Sequence, residues 1–297
     1  MRHALAWLGL VLAGSCSRAP ATAPVASESE PPPILVVGLD GFEWNVALPL
    51  LRAGRMPHLA QLWARGVAGE LETMAPNESP LLWTSIATGK HWTEHGIRGF
   101  VKDPRDTGGK RAVQYTSGDR RVKAFWNLLS EHGIASDTIG WWATWPAEQV
   151  LGMIVAPTWS PGTGVKYGWV AEGASGTVWP AELEAEVFET VARQAEAVDE
   201  EKRAIFGAPP ADLSRKGVRQ WEETNWAFRT DSTNAEVLRR RIESGAASRV
   251  LAVYLGGADV TGHRFWAALN PEVFGLAPDH EVVRAFAHVI PAYYEYV

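Results

Sequence analysis

Residues Ile34–Leu39 read ILVVGL, a continuous apolar run rich in β-branched side chains. A run of this length without polar alternation predicts a strand buried on both faces. It ends in Asp40-Gly41. A second run of the same character, RVLAVYL at 249–255, leads directly into GGADVTGHRFW. Between the two, helix and strand signals alternate. Pro57 opens PHLAQLWARG, which places Leu59, Leu62 and Trp63 on one face and stops at Gly66. Residues 67–74 predict a strand, 122–132 a helix ended by Gly133, and 134–142 a further strand. The alternation predicts an α/β fold with a mainly parallel central sheet flanked by helices. In such sheets, residues at the C-terminal ends of the strands lie where ligands bind.

With 297 residues the chain is long enough for a substantial core. Its net charge of -6 and the lack of any Lys/Arg run longer than Arg239 to Arg241 give nucleic-acid binding no electrostatic support. Most of the 15 tryptophans are assigned to packing, and none to ligand binding by itself. The stretch 180–206 is dense in Glu and Ala, with Leu183, Val187 and Val191 at helical spacing. It predicts a helical insert on the sheet, over about 160–230. Its acidic run from Asp199 to Lys202 reads as solvated helix surface.

The N-terminus has a different character. Ala4 to Ala13 is an apolar run of signal-peptide length, too short to span a membrane, and Gly14, Ser15 and Cys16 follow. The pattern resembles a bacterial lipoprotein signal over 1–16, with Cys16 as the lipidated residue. Residues 17–33, SRAPATAPVASESEPPP, hold too little apolar surface to bury and predict a disordered tether. The resemblance implies an exported protein, held in the cell envelope through a lipid anchor. Cys16 is the single cysteine, so a disulfide within the chain is excluded.

Ser79 begins SPLLWTSIATG, a helix-length segment with Pro80 in its first turn. A serine at a helix start is either a cap or a nucleophile beside unpaired N–H groups that favour an anion. Spacing alone leaves both readings open. Asp259 and His263 stand at i, i+4 just after the second apolar strand, and both are donors that zinc accepts. A lone D-x-x-x-H is weak. Parallel strands, however, present their C-terminal ends together, which would bring Asp40, Ser79 and the Asp259/His263 pair to one sheet edge.

The three segments VVGLDGF, SPLLWTSIATGKHWTEHGI and YLGGADVTGHRFW, in this order, resemble the alkaline phosphatase superfamily. The branch they resemble is the type I phosphodiesterase/nucleotide pyrophosphatase group, from about residue 34 onward. The resemblance implies two divalent metal ions, usually zinc, on either side of a serine or threonine nucleophile, and a covalent phospho-enzyme. By position, Ser79 would be the nucleophile and a metal ligand. Asp40 would ligate the metal on its side, and Asp259 and His263 the other metal. The N–H groups after Pro80 would face the phosphate, and His95 would be structural. The substrate class implied is a phosphate-ester small molecule or a lipid or glycan head group.

The chain departs from the family pattern at three points. Leu82 stands where nucleotide pyrophosphatases carry a phosphate-binding asparagine, which puts a nucleotide substrate in doubt. Pro80 and Trp83 break the Cys/Ser-x-Pro-x-Arg motif that sulfatases require. The Ser-Asp-His-Gly strand and a later histidine, which complete the two metal sites, are missing before Val297. The reading over 34–297 is therefore a partial, C-terminally truncated domain. It is a hydrolase of phosphate mono- or diesters by design, with incomplete metal sites and uncertain activity. A phosphoryl-group transferase of the same superfamily and a non-catalytic lipoprotein remnant are the alternatives.

Overall fold

The computed structural model describes residues 32–109, 113–157 and 175–297. Cys16, the leader 1–16, nearly all of the tether and residues 158–174 of the predicted insert lie outside them.

The elements run in chain order as β1 (Ile34–Leu39), α1 (Trp44–Arg52), α2 (Pro57–Arg65), α3 (Ser79–Thr88), α4 (Trp92–His95), α5 (Phe125–Glu131), β2 (Ser136–Ile139), β3 (Gly152–Val155) and β4 (Val178–Trp179). They continue with α6 (Glu184–Phe206), α7 (Arg215–Glu222), α8 (Asn225–Glu243), β5 (Val250–Leu255), α9 (Gly257–Leu269), α10 (Glu281–Phe286) and α11 (Val289–Tyr296). The strands form one sheet in the order β1-β5-β2-β3-β4. All pairs are parallel except β3 with β4. The fold is thus α/β with a mostly parallel sheet flanked by helices.

The last strand in sequence, β5, lies between β1 and β2 and is buried along its whole length. Its side chains alternate between two helical layers. Ala252 and Tyr254 join Trp83, Trp126 and Trp141 on one face. Val253 and Leu255 join Val187 and Val191 of α6 and Val237 of α8 on the other. Burying each large apolar side chain of these layers contributes roughly 1.5–3 kcal/mol. A third cluster ties α1 and α9 to the C-terminal helices through Val46, Leu50, Phe265, Phe286, Ile290 and Tyr293. Among the described residues no helix is long and apolar enough to cross a membrane.

Two sequence expectations fail in physical terms. The first strand was predicted to be buried on both faces, yet Ile34 is 54% and Leu35 53% exposed. β1 pairs with β5 alone and forms the sheet edge, so its apolar run lacks the cover that β5 has. Residues 67–74 form no strand: they pair with no neighbour, and Val67 and Leu71 point outward. Conversely, β3 and β4 escaped the sequence reading because the chain around them is broken by prolines and aromatics rather than patterned.

Candidate active site

The parallel register places the first site residue. Leu39 pairs with Leu255, and the Asp40 N–H extends the ladder onto the Leu255 carbonyl at 2.9 Å. Asp40 therefore emerges next to the turn where β5 passes into α9. Gly41 follows with φ +65°, and a Cβ there would lie 2.6 Å from Cα of Asp259. Only glycine accepts both that backbone geometry and that approach, so Asp40-Gly41 lets the first turn of α9 close against β1. Tyr294 of α11 fixes the same loop. Its hydroxyl accepts from the Glu43 N–H at 2.8 Å and donates to the Gly41 carbonyl at 3.1 Å, while its ring stacks on Phe42.

Ser79 reaches this edge through packing of α3. Trp83, one turn on, lies across Gly38 of β1, where a Cβ would meet its ring at 2.5 Å. The Trp83 ring also meets Trp141 and Tyr254 edge-on at 5.3 and 4.9 Å, and its carbonyl accepts from Trp141 Nε1 at 2.9 Å. A bare glycine in the strand thus seats a tryptophan that brings the start of α3 over the sheet edge. Glu78 is the N-cap residue and Ser79 the first residue of the helix, so Ser79 is not the cap. The N–H groups of Leu81 and Leu82 both donate to the Glu78 carbonyl at 3.0 Å. They close the first turn and do not face the pocket as free donors, contrary to the sequence expectation.

Asp40, Ser79, Asp259 and His263 line one cavity of about 450 Å³, together with Phe100, Trp142, Trp226, Asp231 and Tyr254. Asp259 and His263 face each other at 3.4 Å between Oδ1 and Nε2, with His263 largely exposed. Burial, and then the charge of Asp40, push the Asp259 carboxyl above its ordinary pKa, while His263 opposes the shift. Two features of the cavity escaped the sequence reading. The Tyr254 hydroxyl donates to Asp40 Oδ2 at 2.6 Å. Its fully buried phenol is held well above its usual range by burial and by the Asp40 charge. Asp231, inside α8, accepts from the N–H groups of Gly256 and Gly257 at 2.8 Å each and from the Tyr293 hydroxyl at 2.6 Å. Burial raises its pKa to about 6 against these bonds. A signal for Asp231 did exist. TDSTN at 230–234 is a polar run in the middle of a helix, and all five residues are buried. Polar residues in that position need a partner.

His95 is fully buried. Its Nε2 lies 3.0 Å from Ser85 Oγ, and its Nδ1 accepts from the Ile97 N–H at 3.1 Å. Desolvation lowers its pKa to about 4. It is a neutral, locally bonded imidazole that braces α3 against α4.

The type I phosphodiesterase / nucleotide pyrophosphatase family model matches residues 34–290. The chain belongs to this family, and so to the alkaline phosphatase superfamily. No curated protein gives a significant match. Members of the family are usually metal-dependent. Asp40, Asp259 and His263 offer oxygen and nitrogen donors of suitable type. Among the described residues, however, no group of three or more His, Cys, Asp or Glu side chains is arranged to hold a metal ion. A structural or catalytic zinc site takes three or four protein ligands. The described residues therefore do not complete a two-zinc centre.

Proposed function

We propose that the chain, whose family membership supports a phosphodiesterase/pyrophosphatase-type hydrolase, hydrolyses phosphate mono- or diesters through a covalent phosphoserine at Ser79. The observation that carries this reading is the convergence of Ser79, Asp40, Asp259 and His263 on one cavity from separate points in the chain. In the first step the Ser79 Oγ–P bond forms and the bond from phosphorus to the leaving alcohol breaks, the serine proton ending on that alcohol. Water then adds to phosphorus and restores the serine. The half-buried position of Ser79 at the first residue of α3 suits an in-line attack from the sheet edge. The aromatic walls formed by Phe100, Trp142 and Trp226 would exclude water around the leaving group.

The test is turnover of p-nitrophenyl phosphate and bis-p-nitrophenyl phosphate, with and without added zinc, by wild type and Ser79→Ala. Loss of at least about a hundredfold in Ser79→Ala is the expected result. Equal turnover by the variant would remove Ser79 from the mechanism. Phosphorus recovered on an added alcohol rather than as free phosphate would make the protein a phosphoryl transferase.

We propose further that Cys16 carries a lipid anchor and that residues 17–33 tether the domain to an envelope membrane. Metabolic labelling with a fatty acid reads this directly. Label that persists in Cys16→Ala would refute it.

A further inference from the structure

A second cavity, of about 510 Å³, lies outside the candidate active site. Its lining includes Arg98, Lys102, Asp106, Tyr115, Asp119 and Arg121. The segment 98–102 contributes to both cavities: Phe100 lines the first, while Arg98 and Lys102 line the second.

The walls of this cavity are held from behind. Arg120 is buried and pairs with both Glu148 oxygens at 2.8 Å, with Asn127 Oδ1 at 2.8 Å, and with the carbonyls of Val122 and Ala143. Anchoring Arg120 inward leaves its neighbour Arg121 on the exposed side of the chain. The Arg121 side chain lies across Gly96, where φ is +83° and a Cβ would meet its Nε at 2.9 Å. The Arg121 N–H donates to the His95 carbonyl at 3.0 Å. Asp119, also in the lining, is consumed. It pairs with Lys102 at 2.7 Å and accepts from the N–H and hydroxyl of Thr116 at 2.8 Å each.

What remains is a pair of exposed guanidiniums, Arg98 and Arg121. Neither has a carboxylate at ion-pair distance among the described residues. Both line this cavity together with Tyr115, whose pKa is raised by burial while the two arginine charges pull it down and Asp106 and Asp119 push it up. Asp106 is the one acid of the lining left to oppose them. Guanidinium forks bind phosphate, sulfate and carboxylate with two parallel hydrogen bonds each. In a chain of net charge -6, such a pair facing a cavity is a local reversal of sign.

We propose that this cavity is a subsite for an oxyanion group carried by the ester substrate, read by Arg98 and Arg121 while the scissile phosphate sits at Ser79. This rests on the phosphate-ester reading of the first cavity. It makes the substrate class an ester bearing a second anionic group.

The experiment has a binding arm and a kinetic arm, both on the full chain. Pyrophosphate is titrated calorimetrically into wild type, Ser79→Ala and the double variant Arg98→Gln/Arg121→Gln, whose two sites are exposed and whose folding is checked by circular dichroism. Affinity should fall about tenfold or more in the double variant and hold in Ser79→Ala. An unchanged affinity in the double variant, or no binding to wild type, overturns the subsite. In the kinetic arm, bis-p-nitrophenyl phosphate is compared with a p-nitrophenyl phosphodiester whose other arm ends in a carboxylate. The double variant should raise KM about tenfold for the carboxylated ester and leave kcat, and the KM for bis-p-nitrophenyl phosphate, unchanged. If pyrophosphate binding depends on the arginines but KM does not, the site takes a free oxyanion and the substrate assignment is wrong. If wild type turns over neither ester, the hydrolase reading fails while the binding arm still decides the oxyanion site.

Discussion

Tyr254 and Asp40 are joined by a 2.6 Å hydrogen bond from the phenol to Oδ2, across the β1–β5 pair. The phenol is fully buried between Trp83 and Trp142, so its position is set by the aromatic layer and not by solvent. The bond leaves one Asp40 oxygen engaged and fixes the direction of the other. Tyr254→Phe keeps the ring and removes only the donor. Loss of a hydrogen bond to a charged acceptor should cost about 1.5–3 kcal/mol of stability, read by urea unfolding. If Asp40 works beside Ser79, turnover of p-nitrophenyl esters should drop about tenfold or more at temperatures where the variant is fully folded. Full activity in a folded Tyr254→Phe would show that the orientation of Asp40 is irrelevant to the chemistry.

Gly41→Ala probes the closure between β1 and α9. The new Cβ would meet Asp259 backbone at 2.6 Å, which no rotamer change relieves. Gly54→Ala is the control, since its φ is +71° and nothing lies within 4 Å of the added carbon. The control should cost about 1 kcal/mol, the strain of placing alanine in the left-handed region. Gly41→Ala should cost at least about 1–2 kcal/mol more and lower turnover. Equal losses in the two variants would mean that the approach of Asp259 to Gly41 is not tight in solution.

Much of this site was legible in the chain, and the missing part has a common cause. Asp40 ends an apolar run, Ser79 starts a helix, and Asp259 and His263 form an i, i+4 pair just after the second apolar run, all places where one-dimensional patterns carry information. Tyr254 and Asp231 are buried within a strand and a helix, and their roles depend on what lies across from them in space. Burial of β1 was misjudged for the same reason. An apolar run reports what a strand tolerates, while its place at the edge of the sheet is decided by β5, more than two hundred residues later.

Asp231 links α8, α11 and the turn into α9, and it explains the Gly256-Gly257 pair. A Cβ on Gly257 would fall 1.7 Å from the Tyr293 hydroxyl and 2.7 Å from Asp231 Oδ2. The carboxylate takes three donors, two of them backbone. In Asp231→Asn a single carbonyl oxygen must replace two, so at least one buried donor is stranded at about 1–3 kcal/mol. Tyr293→Phe removes one donor and leaves the two backbone bonds, and should cost less. Both losses are read by urea unfolding. A larger loss in Tyr293→Phe than in Asp231→Asn would reverse the assignment of Asp231 as the centre of this junction.

Lys202 gives a pH signature independent of the site. It is 2% exposed, donates to the Trp221 carbonyl and Asn225 Oδ1, and sits 4.0 Å from the centroid of the Trp221 ring. Burial lowers its pKa from 10.5 to about 7, with Asp199 and Glu222 opposing. The unfolded chain therefore holds a proton on this amine that the folded chain releases between those two values. Stability should rise with pH across that window, and the contribution is flat below about pH 7, where both states are protonated. From pH 7 to pH 9 the gain from this one group should be about 2 kcal/mol. The measurement is the difference in urea unfolding free energy between wild type and Lys202→Met at the two pH values, which cancels the titration of all other groups. A difference that does not change between pH 7 and pH 9 would show that Lys202 keeps its proton when buried, satisfied by its two acceptors and the indole face.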